Sequence, residues 1–391
     1  MDAGHTSVCP ALIRSATSED RLYSEKLILG MEAMIKLNIN LAERSYPIYI
    51  TSDYNSIGKS LASAKISGRI VVVTDSNVDR QQACDFMEAL GNAGCNVEKY
   101  VIPAGENSKN LDIIKGIYQY LIEKKLDRGG TLIALGGGVV GDITGFAAAT
   151  FLRGINFVQV PTSTLAQADS SVGGKVGVNF ENKKNIIGAF YQPKFVYMNV
   201  NTLKTLPRRE FQAGLAEVIK HGIIMDPDFF NFIDYNMKKI LSYDIDVLQY
   251  IAKQNCTIKG NVVEQDEKES GLRAILNFGH TIGHAIESAK NFELLHGECV
   301  SLGMAGAFKM ARHLDMVNDE TVARAVRVLE SAGLPVRLPG MSVDEVYEHL
   351  FYDKKIKNNK LLFILPKKIG EVVQLTIEDT ALIRKVLTEL F

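Results

Sequence analysis

The chain has 391 residues, more than one hydrophobic core usually serves, so we expect two domains. Hydrophobic residues make up 46% and charged residues 23% of the sequence, a balance that excludes an intrinsically disordered chain. The 44 basic and 45 acidic side chains leave a formal net charge of -1, so the totals give no sign of a nucleic-acid or membrane-surface partner.

The cysteines are scattered without a CxxC pair, which argues against both a disulfide framework and a cysteine zinc site. They are Cys9, Cys84, Cys95, Cys256 and Cys299. No apolar run reaches the ~18 residues that indicate a membrane helix, and no secretory signal opens the sequence. We therefore predict a soluble protein of the reducing cytoplasm.

The first 45 residues are interpreted as an N-terminal extension, with a possible helix around 22–36. Residues 46–205 alternate short β-rich runs with helical periods, which predicts an α/β domain with a mostly parallel, Rossmann-like sheet. The predicted strands are YPIYIT, RIVVVTD, VEKYVIP, TLIALG, INFVQVP and KFVYMN, and the first predicted helices lie near 79–93 and 109–126.

Residues 206–391 have a different character, with long amphipathic stretches that predict a mainly α-helical domain. The predicted helices lie near 207–224, 245–265, 277–290, 297–314 and 318–332. A small β element is expected at KLLFILP (360–366) and EVVQLTI (371–377), joined by a turn.

The run GGGVVGD, from Gly136 to Asp142, joins a predicted strand to a predicted helix. Glycines let phosphate oxygens approach backbone N–H groups at the positive end of a helix, so a dinucleotide pyrophosphate would suit this run. The third glycine of the GxGxxG fingerprint is displaced, and a glycine turn that only packs a strand against a helix is an equally good explanation.

Polar residues follow the neighbouring strands. Asp75 and Asn77 come just after RIVVVTD, where acidic side chains of nucleotide-binding sheets take ribose hydroxyls, although a strand-end turn is the simpler explanation. In PAGENSK, Glu106 and Lys109 are placed to contact the same ligand, and the stretch also fits a capped helix N-terminus.

The run QADSSVGGKVGVN, residues 167–179, places two adjacent glycines beside Lys175 in an otherwise uncharged stretch, which predicts a flexible loop that binds an anion. Arg153 in FLRG and Lys184 in KKNIIGAFYQP lie nearby in the sequence. A solvated surface position would explain any one of these three cations, but it explains the occurrence of all three together less well.

NFGHTIGHAIE places His280 and His284 four residues apart, on one face of a helix. A zinc-protease helix has glutamate after its first histidine, and Thr281 stands there instead, which excludes that class. A structural histidine pair is the alternative. However, Glu217 lies in an apolar helix and His296 opens the next one, so one glutamate and two histidines would complete a catalytic metal set with an open position.

In this order and at these separations, the motifs resemble the 3-dehydroquinate synthase family of the sugar-phosphate cyclase superfamily. The resemblance runs from about residue 46 to the C-terminus and also includes GLAEVIKHG and the HGE that follows the histidine helix. It implies an N-terminal α/β domain that binds NAD, a helical C-terminal domain that binds a divalent metal such as zinc or cobalt, and a sugar-acid phosphate between them. It also implies a homodimer.

The resemblance assigns roles to individual residues. The metal ligands correspond to Glu217, His280 and His296, whereas His284 faces the substrate and takes part in proton transfer. The residues expected to contact NAD are Asp75, Asn77, Glu106, Lys109, Gly137, Gly138, Asp142, Thr162, Ser163, Lys184 and Thr205. The residues expected around the substrate are Asp169, Lys175, Asn185, Lys220, Lys259, Arg273, Asn277, one lysine of the Asp353–Lys355 stretch (assigned as Lys354), and Arg153 from across the dimer interface. At position 163 a serine replaces the more usual threonine of the motif.

The implied reaction converts 3-deoxy-D-arabino-heptulosonate 7-phosphate to 3-dehydroquinate and phosphate, and NAD is used and regenerated within one turnover. The alternatives are a 2-deoxy-scyllo-inosose or sedoheptulose 7-phosphate cyclase, a dehydrogenase related to glycerol dehydrogenases, and a catalytically idle homologue. Arg273 and Asn277 favour a substrate that carries a carboxylate. The alternative for Arg273 is a structural role, as a cap or salt bridge to the acidic stretch EQDEKE just before it.

Overall fold

The computed structural model describes residues 34–181, 183–269, 271–291, 293–351 and 361–391. The strands of this part of the chain, numbered in order, are β1 Met34–Ile39, β2 Tyr46–Thr51, β3 Ile70–Asp75, β4 Val97–Ile102, β5 Thr131–Gly136, β6 Asn156–Pro161, β7 Lys175–Phe180, β8 Lys183–Phe190, β9 Phe195–Asn199, β10 Leu361–Lys368 and β11 Glu371–Ile377.

The α-helices of the described residues are numbered in the same way. They are α1 Ile57–Ser63, α2 Ser76–Gln81, α3 Ala83–Asn92, α4 Leu111–Glu123, α5 Gly138–Thr150, α6 Arg208–Met225, α7 Pro227–Leu241, α8 Ile245–Gln265, α9 His280–Ala289, α10 His296–His313, α11 Asp319–Ser331, α12 Val343–His349 and α13 Thr380–Leu390. None of them is long and apolar enough to cross a membrane.

The N-terminal half is a seven-stranded sheet in the order β1-β2-β9-β6-β5-β3-β4. All neighbours pair in parallel except β1, which lies antiparallel to β2 at the edge. The interior strand β5 is buried along its whole length, because helices cover both faces of a parallel sheet. The carboxyl ends of β3, β5 and β6 therefore meet at one edge, where the glycine run begins.

The helical half packs α9 against α10, and α10 against α6. Glycines allow these helices to approach closely. A Cβ atom at Gly297 would lie 1.8 Å from the Ala213 carbonyl oxygen, and one at Gly303 would lie 1.8 Å from the Gly279 carbonyl oxygen. These contacts bring the first residues of α9 and α10 up against α6, which positions the predicted metal ligands.

The structure corrects several details of the sequence-based expectations. Residues 34–36 belong to β1, which joins the sheet, so they are not part of the helix predicted around 22–36; its other residues lie outside the described ones. The stretch predicted as a flexible loop becomes a π-helical turn, Ala166–Ser170, followed by the β7–β8 hairpin. Four helices that were not predicted are α1, α7, α12 and α13. The division of the chain at residues 45 and 205 stays a prediction.

Candidate active site

Three helices meet where the predicted metal ligands lie. Glu217 stands in the middle of α6, whereas His280 and His296 are the first residues of α9 and α10. Glu217 Oε1 lies 3.7 Å from His280 Nε2 and 3.8 Å from His296 Nε2. The fold thus brings all three predicted ligands together.

The donor atoms fit a divalent cation. Glu217 is only 1% exposed, and its Oε1 has no hydrogen-bond partner among the described residues, an arrangement that is costly without a cation. His280 Nδ1 donates to the carbonyl oxygen of Phe278 at 3.0 Å, which leaves the Nε2 lone pair facing Glu217. A carboxylate with two imidazoles is a donor set that zinc and cobalt accept.

His284 belongs to the same cluster. His280, His284 and His296 each offer a ring nitrogen, and these nitrogens lie within 4.8 Å of one another. The ring centroid of His284 is 5.1 Å from that of His280 and 5.8 Å from that of His296. His284 is therefore close enough to serve either the metal or a substrate bound to it, and its assignment to proton transfer stays a prediction.

Buried lysines surround the cluster. The Lys220 ammonium contacts Glu217 Oε2, and Lys259 Nζ lies 2.8 Å from Asp169 Oδ1. Burial by itself would raise the pKa of Asp169, but the ammonium groups of Lys259 and Lys220 hold it well below its usual range. Burial lowers the pKa of Lys259, and Asp169 opposes that change. Asp169 is therefore a carboxylate at neutral pH and can accept hydrogen bonds.

His221 is a residue of this network that the sequence reasoning missed. It is fully buried, its Nδ1 lies 2.9 Å from Asn255 Oδ1, and its Nε2 has no hydrogen-bond partner among the described residues. Burial lowers the pKa of His221 to about 3, and the positive charge of Lys220 acts in the same direction. The imidazole is consequently neutral at physiological pH.

Arg273 and Asn277 lie on a short 3₁₀ helix that precedes α9. Arg273 is 2% exposed, and its guanidinium donates to the carbonyl oxygens of Glu267 at 2.5 Å and Gly173 at 3.5 Å. The arginine therefore braces the glycine turn before β7 and still has N–H groups left for an anion. Both explanations of this residue, bracing and anion recognition, remain compatible with its position.

Glu269 joins two residues that were predicted to surround the substrate. Its carboxylate contacts the Lys175 ammonium and accepts a hydrogen bond of 3.0 Å from Asn277 Nδ2. The sequence reasoning did not single out Glu269, because it lies in a run of acidic residues that is typical of a solvated loop. The lysine and the asparagine are thus held at one place in the fold.

The glycine run starts α5 at the carboxyl edge of the sheet. Gly137 occupies the N-cap position and has no side chain that could accept from the N–H groups of the first turn, so the helix end can receive a phosphate. Two residues predicted to contact NAD meet here, since Lys109 Nζ lies 2.6 Å from Asp142 Oδ2. Burial raises the pKa of Asp142, although the Lys109 charge opposes the change. These features fit a dinucleotide.

Two other predicted NAD contacts lie at the carboxyl ends of β3 and β6. Asp75 ends β3 and caps α2 by accepting from the backbone N–H groups of Asn77 and Val78, so the strand-end turn is real. Thr162 follows β6, and its N–H donates to the Gly136 carbonyl oxygen at 3.0 Å. Three of the remaining predicted NAD contacts accept hydrogen bonds: Glu106 from Asn179, Ser163 from the Ala166 N–H and Thr205 from Gln82. The last two are Gly138, at the start of α5, and Lys184, on β8.

Two other predicted substrate residues belong to the sheet half of the chain. Asn185 is on β8 with φ 51°, and its N–H donates to Asn179 Oδ1. Arg153 is exposed and stands in a turn where residues 152–154 all have positive φ. Lys354 lies outside the described residues.

Comparison with known proteins identifies the family. Residues 99–213 match the family model described as 3-dehydroquinate synthase N-terminal, and residues 214–356 match the one described as 3-dehydroquinate synthase C-terminal. A 3-dehydroquinate synthase from Acetivibrio thermocellus is 66% identical over 358 residues, which cover 91% of this chain and 99% of that protein. The chain belongs to the 3-dehydroquinate synthase family.

Solved structures of related cyclases have the same fold. A 2-deoxy-scyllo-inosose synthase complexed with carbaglucose-6-phosphate, NAD+ and Co2+ superposes with a TM-score of 0.83 at 26% identity, covering 91% of this chain and 100% of that one. A 2-epi-5-epi-valiolone synthase from Streptomyces hygroscopicus with NAD+ and Zn2+ gives 0.82 at 25% identity, covering 90% and 98%. These identities are far below the 66% shared with a 3-dehydroquinate synthase.

Proposed function

We propose that this member of the 3-dehydroquinate synthase family converts 3-deoxy-D-arabino-heptulosonate 7-phosphate to 3-dehydroquinate and phosphate, a step of the shikimate pathway. The observation that carries the proposal is 66% identity along 99% of a 3-dehydroquinate synthase. The buried carboxylate and histidine cluster supports it, because this reaction needs a metal-binding site and the cluster has the required donor atoms.

The two halves of the chain would divide the cofactors between them. In this proposal, residues 46–205 bind NAD and residues 206–391 bind the metal, a boundary near the one between the two family models at 213 and 214. The N-terminus of α5 would take the pyrophosphate. Glu217, His280 and His296 would hold zinc or cobalt, the ions named for the two related cyclases.

NAD, held by the sheet half, would supply a reversible hydride acceptor for C5, and a metal held by Glu217, His280 and His296 would polarise the oxygens of neighbouring hydroxyls. The chain supplies the proton transfers and the orientation. His284 lies beside the proposed metal ligand His280 and would move the proton of the reacting hydroxyl. The ammonium groups of Lys259 and Lys220 would stabilise negative charge that develops on the substrate oxygens. Asp169 would accept a hydrogen bond from a substrate hydroxyl.

Oxidation of C5 would make the C6 proton acidic, and an oxygen of the phosphate would accept that proton as phosphate leaves by elimination. Lys175 and Asn185, with Arg153 of a second subunit, would hold that phosphate through charge-assisted hydrogen bonds. The free N–H groups of Arg273 would pair with the substrate carboxylate. After C5 is reduced, the ring opens and an aldol addition closes the carbocycle, which is fast only if the chain is held in a reactive pose.

A homodimer would complete the site. Leu152 and Arg153 are exposed, and Leu152, Arg153 and Gly154 have φ values of 50°, 69° and 119°. The neighbouring Tyr191 donates to the Ile155 carbonyl oxygen, so the exposed Phe190 lies beside this turn. Exposed apolar side chains around an arginine whose backbone conformation is fixed form a surface suited to contact a second copy of the chain.

Mixing two inactive variants tests the dimer. If Arg153 acts in the partner's site, R153A mixed and re-equilibrated with H284A should recover about a quarter of wild-type activity, because half of the dimers then contain one intact site. If each subunit uses its own arginine, the mixture stays inactive.

We further propose a cytoplasmic location, which agrees with the unpaired state of the four described cysteines.

The reaction itself is tested with purified protein, NAD and zinc. Addition of the heptulosonate phosphate should release phosphate and 3-dehydroquinate in equal amounts while the NADH absorbance stays flat. Stoichiometric NADH would indicate a dehydrogenase. Turnover of sedoheptulose 7-phosphate, which lacks the carboxylate, would indicate another cyclase of the superfamily.

A further inference from the structure

Another acidic residue, besides Glu217 and Asp169, lies next to the metal-ligand cluster. Glu287 follows His280 by seven residues on α9, so the two side chains share one face of the helix. Glu287 is 6% exposed. A carboxylate buried this deeply requires partners for both oxygens.

Its two oxygens have different partners. Glu287 Oε1 accepts a hydrogen bond of 2.8 Å from Lys184 Nζ, on strand β8 of the other half of the chain. Glu287 Oε2 lies 3.6 Å from His296 Nδ1, an ion-pair distance that a small torsional change turns into a hydrogen bond. The carboxylate thus lies between a lysine of the sheet half and a histidine of the helical half.

The two histidine ligands are oriented by different groups. His280 is fixed by the Phe278 carbonyl oxygen, a backbone atom that substitution does not remove. The side chain of His296 is 30% exposed, and it is the first residue of its helix, where the backbone restrains it least. Glu287 is the carboxylate nearest in position to do for His296 what the backbone does for His280, namely to accept from Nδ1–H and so direct Nε2 toward Glu217.

We propose that Glu287 is a positioning residue that orients His296 for the metal and is itself held in place by Lys184. This inference rests on the metal centre of the proposed function. A carboxylate that accepts from a ligating imidazole fixes its tautomer and raises its basicity, which strengthens metal binding. Lys184 restrains the carboxylate, so the strand that carries this lysine contributes to the metal site without touching the metal.

The test measures metal affinity of the full chain in the absence of NAD and substrate. Zinc affinity is obtained by competition with a chelator, and the environment of the metal is followed by the visible absorption of the Co2+ form. Glu287→Gln keeps the shape and removes the charge. We expect zinc to bind about 10–100-fold more weakly, as is usual when such an outer partner is lost, with an altered Co2+ spectrum.

The chain offers a matched control. Glu389 of α13 also pairs with one histidine and one lysine, at 2.8 Å from His313 Nε2 and 3.4 Å from Lys309 Nζ, which lie at the opposite end of α10 from His296. Glu389→Gln should leave zinc affinity and the Co2+ spectrum unchanged. A folded Glu287→Gln protein whose zinc affinity and spectrum match those of the wild type would overturn the proposal.

Lys184→Met provides a second route if the glutamine variant does not fold. The Lys184 side chain is 35% exposed, so its loss should spare the fold. We expect weaker zinc binding in the same direction as for Glu287→Gln, but by a smaller factor, and unchanged binding would refute the anchoring role. If the wild type itself binds no zinc, the metal centre of the proposed function fails instead, so the two failures are distinguishable.

Discussion

Replacing Lys220 by methionine should destabilise the metal-free protein far more than the zinc-loaded protein. Lys220 and Glu217 are each 1% exposed, and the ammonium contacts Oε2 while Oε1 has no hydrogen-bond partner among the described residues. Methionine fills the space but leaves a buried carboxylate without its counter-charge. Breaking a buried pair in this way costs about 3–5 kcal/mol.

The loss is measurable by thermal unfolding. At about 2–4 °C per kcal/mol for a domain of this size, the Tm of the metal-free variant should fall by roughly 6–20 °C. Zinc bound at Glu217 restores a positive charge there, so saturating zinc should recover much of the difference. In the wild type, binding of zinc at about a thousand times its Kd raises the free energy of unfolding by only about 4 kcal/mol.

The pair between Lys309 and Glu389 provides the control for this experiment. Lys309→Met removes an ammonium from a partly exposed pair with Glu389, and should cost no more than about 1 kcal/mol with or without zinc. If Lys220→Met lowers the Tm equally in the metal-free and zinc-loaded proteins, then Glu217 is not a ligand and the electrostatic argument is wrong.

Substitutions of other site residues test the remaining assignments. His280→Ala should lose most of the bound zinc, whereas His284→Ala should keep its zinc and lose activity; equal zinc loss, measured by elemental analysis, would contradict the division of roles. Arg273→Lys should lower the unfolding free energy by about 1.5–3 kcal/mol, since lysine cannot keep both backbone contacts, and should also lower kcat/KM by about one to two powers of ten. Unchanged kcat/KM would leave bracing as its role. His221 has a folded pKa of about 3 against 6.5 when exposed, so the unfolded chain binds a proton first as the pH falls and stability is lost below pH 6.5. His221→Gln should remove about 2 kcal/mol of the loss of stability of the metal-free protein between pH 7 and pH 5, as measured by denaturant unfolding, and an unchanged pH dependence would contradict the buried neutral imidazole.

Local patterns in the sequence were enough to predict the fold class and much of the element order. The run IVVVTD predicted β3, and the amphipathic period over 245–265 matched α8, because burial on one or both faces leaves a periodic apolar signal. The motif order, together with the resemblance that it carries, also predicted the family, which comparison confirmed. The sequence thus determined the two halves and the residues that form the candidate centre.

Other features exist only through contacts between distant segments. The stretch that forms β7 was predicted as part of a flexible loop, because glycines such as Gly177, which pairs with Gly188 of β8, are typical of loops rather than of strand interiors. Lys184 and Glu287 are 103 residues apart, and Glu287 looks like a solvated charge until the fold buries its carboxylate beside the lysine. Periodicity reports how a segment faces the core, whereas the partner of a buried charge is decided by which segments the tertiary structure brings together.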